Sequence, residues 1–214
     1  MIRRVGSALL VLLFAIACQT GASDEEQILM VYETYKQGVI NSTGVSAASV
    51  LTPGSYDFYA KIRDHALYAT KEELEIVSGL EFFTAIMIRG RIDAEELVQM
   101  SGEDIIALQI DRGWTSQGAV SGITLGEITV NGNRASSTIE GAQGAGPVEF
   151  EFEKVDGVWR LDLAAFSQEA GKALDAIFLQ VQGSRADSVL QMLEMGGITV
   201  DPETIWTPPM SRNP

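Results

Sequence analysis

The chain has 214 residues, 46% of them hydrophobic and 21% charged, the balance of a packed globule made of one domain, or one domain with an extension. Its formal charge is −14, from 15 Lys and Arg against 29 Asp and Glu, which repels phosphate backbones and sets nucleic acid aside as a partner. One cysteine excludes an internal disulfide, and one histidine excludes a histidine-rich metal site within one chain.

The first segment is a leader. Arg3 and Arg4 form a positive start, and Val5 to Ala17 follow without a charge. That run is short of the roughly 20 residues a spanning helix needs and has the length of a signal-peptide core. Ala15 and Ala17 put small residues at the two positions a signal peptidase reads. The segment Ala15-Ile16-Ala17-Cys18 resembles a bacterial lipobox. The resemblance implies that residues 1–17 are removed, that the Cys18 sulfur receives a diacylglycerol, and that the new amino terminus is acylated. Two or three acyl chains anchor a protein stably where one is marginal. The implied partner is therefore a lipid bilayer, held through acylated Cys18, and the implied location is the bacterial cell envelope. Gln19 rather than Asp after the cysteine points, by the same resemblance, to the outer membrane facing the periplasm in a Gram-negative cell. Two other readings stay open: soluble secretion after a cut at Ala17, and an uncut anchor helix. Loss of residues 1–17 removes two positive charges and no negative one, so the mature chain is still more acidic. Residues 18–23 are then the lipidated cysteine and a small polar tether.

Ser23 with Glu26 reads as a capping box, opening a helix from about 24 to 40 with Ile28, Val31, Tyr32, Tyr35 and Val39 on one face. Residues 41–54 read as a loop with one helical turn. A second amphipathic helix covers 55–69, and a third covers 71–90 through Ile76, Leu80, Phe83 and Met87. Asp93 with Glu96 and Ser101 with Asp104 are further capping boxes, the second opening a helix that stops at Gly113. The period then becomes alternating. Asn131-Gly132 is a hairpin signal joining a strand of about 119–130 to one of 133–140. Gly126 sits where the apolar parity slips, and a bulge there would place Ile123, Leu125, Ile128 and Val130 on one face. Residues 141–146 are a turn-rich link. Phe150 and Phe152 alternate with Glu149, Glu151 and Glu153, and Asp156-Gly157 is a second hairpin signal. Its register opposes Phe152 to Leu161, Phe150 to Leu163, Glu153 to Arg160 and Glu151 to Asp162. Helices return at 165–182 and, behind a Ser184–Asp187 capping box, up to about Gly196. Trp206 is expected to dock on the body and the last residues to fray.

Helices followed by an antiparallel meander, with Asp-Gly-Val-Trp-Arg-Leu-Asp at 156–162, resemble the nuclear transport factor two-like superfamily. The resemblance covers about residues 24–163. It implies an α+β fold in which N-terminal helices pack on a curved, cone-like meander sheet, with residues 164–214 as added C-terminal helices and a tail. It carries almost no functional information, because the superfamily spans enzymes, carriers and adaptors.

Candidate chemistry is sparse. His65 could serve as a general base in a cone mouth, yet Asp64, its sequence neighbour, lies on a different helix face and is badly placed to orient it. The strand acids alternate with the phenylalanines and read as a wet sheet face, with Asp162 on the same outer side, and no carboxylate is forced into the interior by the pattern. Acid clusters at 24–26, 72–73, 95–96 and 103–104 fall in first helical turns and lack the spacing of a calcium loop. There is no phosphate-binding glycine loop and no nucleophile elbow. Tyr59, His65 and Trp114, the last as a lid, are the pocket candidates. The reading is an envelope lipoprotein whose domain binds a protein partner or a small apolar ligand without catalysis, cofactor or metal. The alternatives are an enzyme of the hydrolase, isomerase or lyase type using the cone pocket, with His65 or a tyrosine as base, and a structural adaptor in an envelope complex.

Overall fold

The N-terminal cap forms as the spacing predicts. Ser23 Oγ accepts from Glu26 N–H at 3.1 Å, and the Glu26 carboxylate accepts from Ser23 N–H at 2.8 Å. Helix α1 runs Asp24–Ile40. A computed structural model describes residues 21–115, 117–140, 149–180 and 183–211. The leader, Cys18 and the link 141–146 lie outside the described residues.

Helix α2 (Gly44–Ala48) is the turn expected in the following loop, and α3 spans Pro53–Tyr68. Pro53 does not close that loop but opens α3 behind the N-cap Thr52, where its missing N–H has no cost. The single helix expected over 71–90 is two, α4 (Lys71–Glu75) and α5 (Gly79–Arg89). Ser78 and Glu81 form a capping box that starts α5 afresh, and Ile76, placed in the apolar stripe by the sequence, is 86% exposed. Helix α6 (Ala94–Leu97) follows Asp93, which makes no side-chain cap bond, so the capping box expected with Glu96 does not form. Helix α7 spans Gly102–Asp111 behind the Ser101–Asp104 box, and Gly113 follows at φ 67°. Residues 119–121, expected to begin a strand, instead end the short helix α8 (Gln117–Ser121), whose Val120 turns into the core.

Four strands, β1 (Thr124–Asn131), β2 (Arg134–Glu140), β3 (Glu149–Val155) and β4 (Val158–Asp162), form an antiparallel sheet in the order β1-β2-β3-β4. The register slips between Leu125 and Ile128, a bulge where Gly126 predicted one. Ile123, Leu125 and Ile128 then pack on the core, whereas Val130 stays 36% exposed. In the first hairpin Asn131 pairs with Arg134, so Gly132 and Asn133 are the loop residues, one place later than the sequence reading. Gly132 takes the positive φ of 65° that the first central position needs. The second hairpin has the predicted register, with Asp156 at φ 50° and Gly157 at φ 80°. Its Phe150–Leu163 pair is absent because β4 ends at Asp162. Asp162 pairs with Glu151 on the outer side, as expected, and is half-buried there because its carboxylate caps helix α9 (Leu163–Phe178) by accepting from Ala164 and Ala165 N–H. The free edge of β4 is covered by residues 50–52: Leu161 N–H donates to Val50 O at 2.9 Å and Thr52 N–H to Leu161 O at 3.0 Å. Helix α10 (Arg185–Met195) completes the chain of elements, and Trp206 docks against Phe82 with ring centroids 6.0 Å apart.

The fold is a mixed α+β arrangement with two adjoining cores. One lies under the sheet, where Phe150, Phe152, Trp159 and Leu161 meet Ile28, Tyr32, Tyr35 and Val39 of α1. The other is helical, where Ile62, Phe82, Ile86, Ile105 and Val189 meet. Helix α9 serves both: Leu163 and Phe166 pack on the first, Leu174 and Phe178 on the second. Glu149 and Glu151 are exposed on the opposite sheet face and Glu153 is half-buried there, as the alternation predicted.

Candidate functional site

Five helices leave a gap where the two cores meet. A cavity of about 160 Å³, partly open to solvent, is lined by Tyr35 of α1, Tyr59 of α3, Leu80 of α5 and Ile106, Gln109 and Ile110 of α7. Thr115 and the α9 residues Leu163, Phe166, Ser167 and Ala170 close it. The lining is aliphatic and aromatic with a few hydroxyls and one amide, the make-up of a small-molecule site. Residues with long apolar side chains set the walls. Ser167 and Ala170 are too small to fill the space that α9 leaves beside α7.

The polar groups hold their protons. Burial pushes the Tyr35 hydroxyl well above the ordinary tyrosine range, and the nearby Tyr59 and Tyr32 add to this. Burial also raises Tyr59, partly offset by its hydrogen bond with Ser167. Tyr32, three residues before Tyr35 on α1, is pushed up to about 12 by burial and by Glu33, and donates to Ile123 O at 3.0 Å. Neutral tyrosines of this kind are hydrogen-bond donors and poor bases at pH 7. Gln109 donates its Nε2 to Ile105 O at 3.2 Å, which leaves its side-chain carbonyl as an acceptor.

Of the three residues singled out in the sequence, Tyr59 lines this cavity and His65 and Trp114 do not. The carboxylate beside His65 is Glu81, not Asp64: Glu81 Oε1 lies 3.9 Å from His65 Nε2 and 2.7 Å from Lys61 Nζ. Asp64 instead takes two bonds from Arg63. Glu81, 7% exposed, is the interior carboxylate that the pattern did not reveal. Burial acts to raise its pKa, but the Lys61 ammonium and the Ser78 hydroxyl and N–H outweigh burial and hold it below the usual range. Trp114 lies against the helical core with the Arg91 guanidinium 4.7 Å from its ring centroid, a cation–π contact.

A wider cleft of about 320 Å³ runs between Arg89 and residues 199–209. It is open, and its tail side carries Thr199, Asp201, Thr204 and Thr207 beside Val200, Ile205 and Pro209. The Arg89 guanidinium is committed to main-chain carbonyls: Nε donates to Ala66 O, Nη2 to His65 O and Ala69 O, and Nη1 to Ile205 O, at 2.7–3.0 Å. It closes the C-terminus of α3 and ties down the tail. The smaller cavity is therefore the better candidate site.

Among the described residues no group of three or more His, Cys, Asp or Glu is placed to hold a metal ion, and no helix is long and apolar enough to cross a membrane. No protein family, curated protein or solved structure matches the chain.

Proposed function

We propose that the protein is a lipoprotein of a bacterial cell envelope whose α+β domain binds a small, mostly apolar ligand in the Tyr35–Tyr59 cavity without acting on it chemically. The observation that carries the binding half is the cavity itself. It is apolar over most of its wall, has hydroxyl and amide groups at separate points, and its ionisable groups are tyrosines held protonated. A volume of about 160 Å³ matches that of the benzene-sized holes, near 150 Å³, which bind a single ring. The ligand is thus one ring or a short branched chain carrying a group that hydrogen-bonds to a phenol or an amide. A base tuned near neutral pH would favour an enzyme, and His65 is not among the cavity-lining residues.

The anchoring half rests on the leader and the Ala15-Ile16-Ala17-Cys18 segment. The cone of the nuclear transport factor two-like superfamily is the reading we adopt for the sheet. It is supported by α1, whose start bonds β4 through Asp24 and Trp159, while Tyr32 reaches Ile123 beside β1. A sheet bent around a helix brings both of its outer strands to that helix.

Phenol and toluene serve as probes of the cavity. In an NMR titration of the mature chain, both are expected to shift resonances of Tyr59, Phe166 and Ala170, with a Kd on the order of 0.1–1 mM for so few atoms. Ala170→Phe puts a ring into the same space and is expected to abolish the shifts while leaving the fold intact. Absence of any shift at the lining residues, or undiminished binding by Ala170→Phe, would sink the proposal.

A further inference from the structure

The tether and the place where α1 begins determine which end of the domain meets the membrane. This inference rests on the anchoring read above. Residues 19–23 separate Cys18 from Asp24, so even a fully extended chain holds Asp24 within about 20 Å of the lipidated cysteine. Asp24 is in turn fixed to the sheet. Its carboxylate accepts from Lys154 Nζ at 2.6 Å and from Trp159 Nε1 at 2.8 Å. Those two bonds hold its pKa below the ordinary range, so it stays charged and bonded at neutral pH. Lys154 and Trp159 pair across β3 and β4, next to the turn between Val155 and Val158.

In a meander the β1–β2 and β3–β4 turns share one end of the sheet. Lys154 N–H donates to Asn133 O at 2.7 Å, which brings the two turns together. At this end Val158 is 55% exposed and Val130 36%, and Leu29 and Met30 are 47% and 57% exposed in the second turn of α1. These are four of the large apolar side chains that the fold leaves in solvent, two of them beside the hairpin turns and two in the helix that the tether enters. We propose that this hairpin end faces the bilayer, with the Val155–Val158 turn against the headgroups. The occupant is a lipid surface, and the evidence for it is the length of the tether and the place where it joins the domain. The acidic surface argues against recruitment by anionic lipid, so the acyl chains supply the attraction and the hairpin end supplies the orientation.

This orientation has a consequence for the cavity. Helix α1 runs from the hairpin end at Asp24 toward the start of β1, where Tyr32 and Lys36 both donate to Ile123 O. Tyr35 is eleven residues along it, about 16 Å from Asp24 at 1.5 Å per residue. The cavity therefore sits in the membrane-distal half.

The test uses the full lipoprotein, purified in detergent and reconstituted into vesicles that carry a nitroxide on the lipid headgroup. Thioether linkage removes the chain's one native thiol, so a fluorophore goes only to an introduced cysteine: Val158→Cys at the hairpin end or Met195→Cys on α10, whose contacts are with α5 and α9. Both positions are exposed, and neither change disturbs the core. Quenching at residue 158 is expected to exceed that at 195 by about threefold or more, because Val158 adjoins Trp159, which holds Asp24 at the end of a tether of about 20 Å, whereas α10 packs on α5 and α9. Equal or reversed quenching on vesicle-bound protein overturns the orientation while leaving the anchor standing. Failure of the chain to float with the vesicles overturns the anchor and this inference with it.

Discussion

Replacing Arg89 with methionine is expected to destabilise the domain by about 4 kcal/mol, lowering the melting temperature by about 12 °C for a chain of this size. Burial lowers the Arg89 pKa only to about 10, so the group is charged at neutral pH, and no carboxylate among the described residues pairs with it. Its partners are instead four carbonyls, three at the C-terminus of α3 and the fourth at Ile205. The helix end offers partial negative charge and unsatisfied acceptors, which the planar fork meets from several directions at once. Methionine fills the same volume but removes all four of these bonds and leaves His65 O with the Ala69 N–H alone. Arg89→Lys is expected to recover less than half of the loss, since one ammonium cannot reach four acceptors spread over two segments. Both variants should release residues 198–210 selectively, seen as faster amide exchange there than in the sheet. Wild-type stability in Arg89→Met, or full rescue by lysine, would show that the guanidinium network contributes little.

Gly102→Ala is the second large effect, and its sign runs against helix propensity. Gly102 is the first residue of α7, where alanine normally gains about 1 kcal/mol. Here a Cβ would fall onto the carbonyl oxygen of Tyr56 in α3, and main chain on both sides leaves nothing to rotate away. Overpacking of this kind costs about 3 kcal/mol, so the net change is a loss of about 2 kcal/mol or more. Gly54→Ala is the control. A Cβ at Gly54 meets only Thr52 Oγ1, at 3.7 Å, and the exposed first turn of α3 should be neutral or slightly stabilised. Denaturant titration of the two variants decides the matter. Equal, small effects would mean that the helices α3 and α7 separate freely.

The sequence made the helices legible where one face carried the apolar residues and a cap marked the start. Asp24–Ile40 and the helix after Ser101 follow from that alone. The second hairpin was equally clear, because Asp-Gly satisfies two positive φ angles and the alternating phenylalanines fix the register. The break between α4 and α5 was obscured because the apolar spacing runs on through Ile76 and Val77. The signal was present in Ser78-Gly-Leu-Glu81, a capping box inside an apparently continuous stripe. The helical turn of residues 117–121 depends on Val120 finding the sheet core, a contact with no local signature.

The site was less legible than the fold. Tyr59 was singled out, but Tyr35, Gln109 and Ser167 come from three other helices, and only packing brings them together. A usable signal did exist. Gln109 sits in the buried stripe Ile105-Ile106-Gln109-Ile110, and Ser167 lies one turn from both Leu163 and Gly171 on the buried face of α9. A polar residue on an otherwise apolar face marks either a satisfied core group or a cavity wall. His65 drew attention as the lone histidine, yet its neighbourhood is an ion-paired glutamate between two helices, away from the open space.

Mass spectrometry of the amino-terminal peptide, released from protein extracted from bacterial membranes, tests the anchoring on which the account rests most directly. The account predicts a peptide that begins at Cys18 and carries both a diacylglycerol on sulfur and an acyl group on nitrogen, with Cys18→Ser lost from the membrane fraction. A chain that still begins at Met1, an unmodified Cys18 thiol, or a Cys18→Ser protein that stays with the membrane would contradict it.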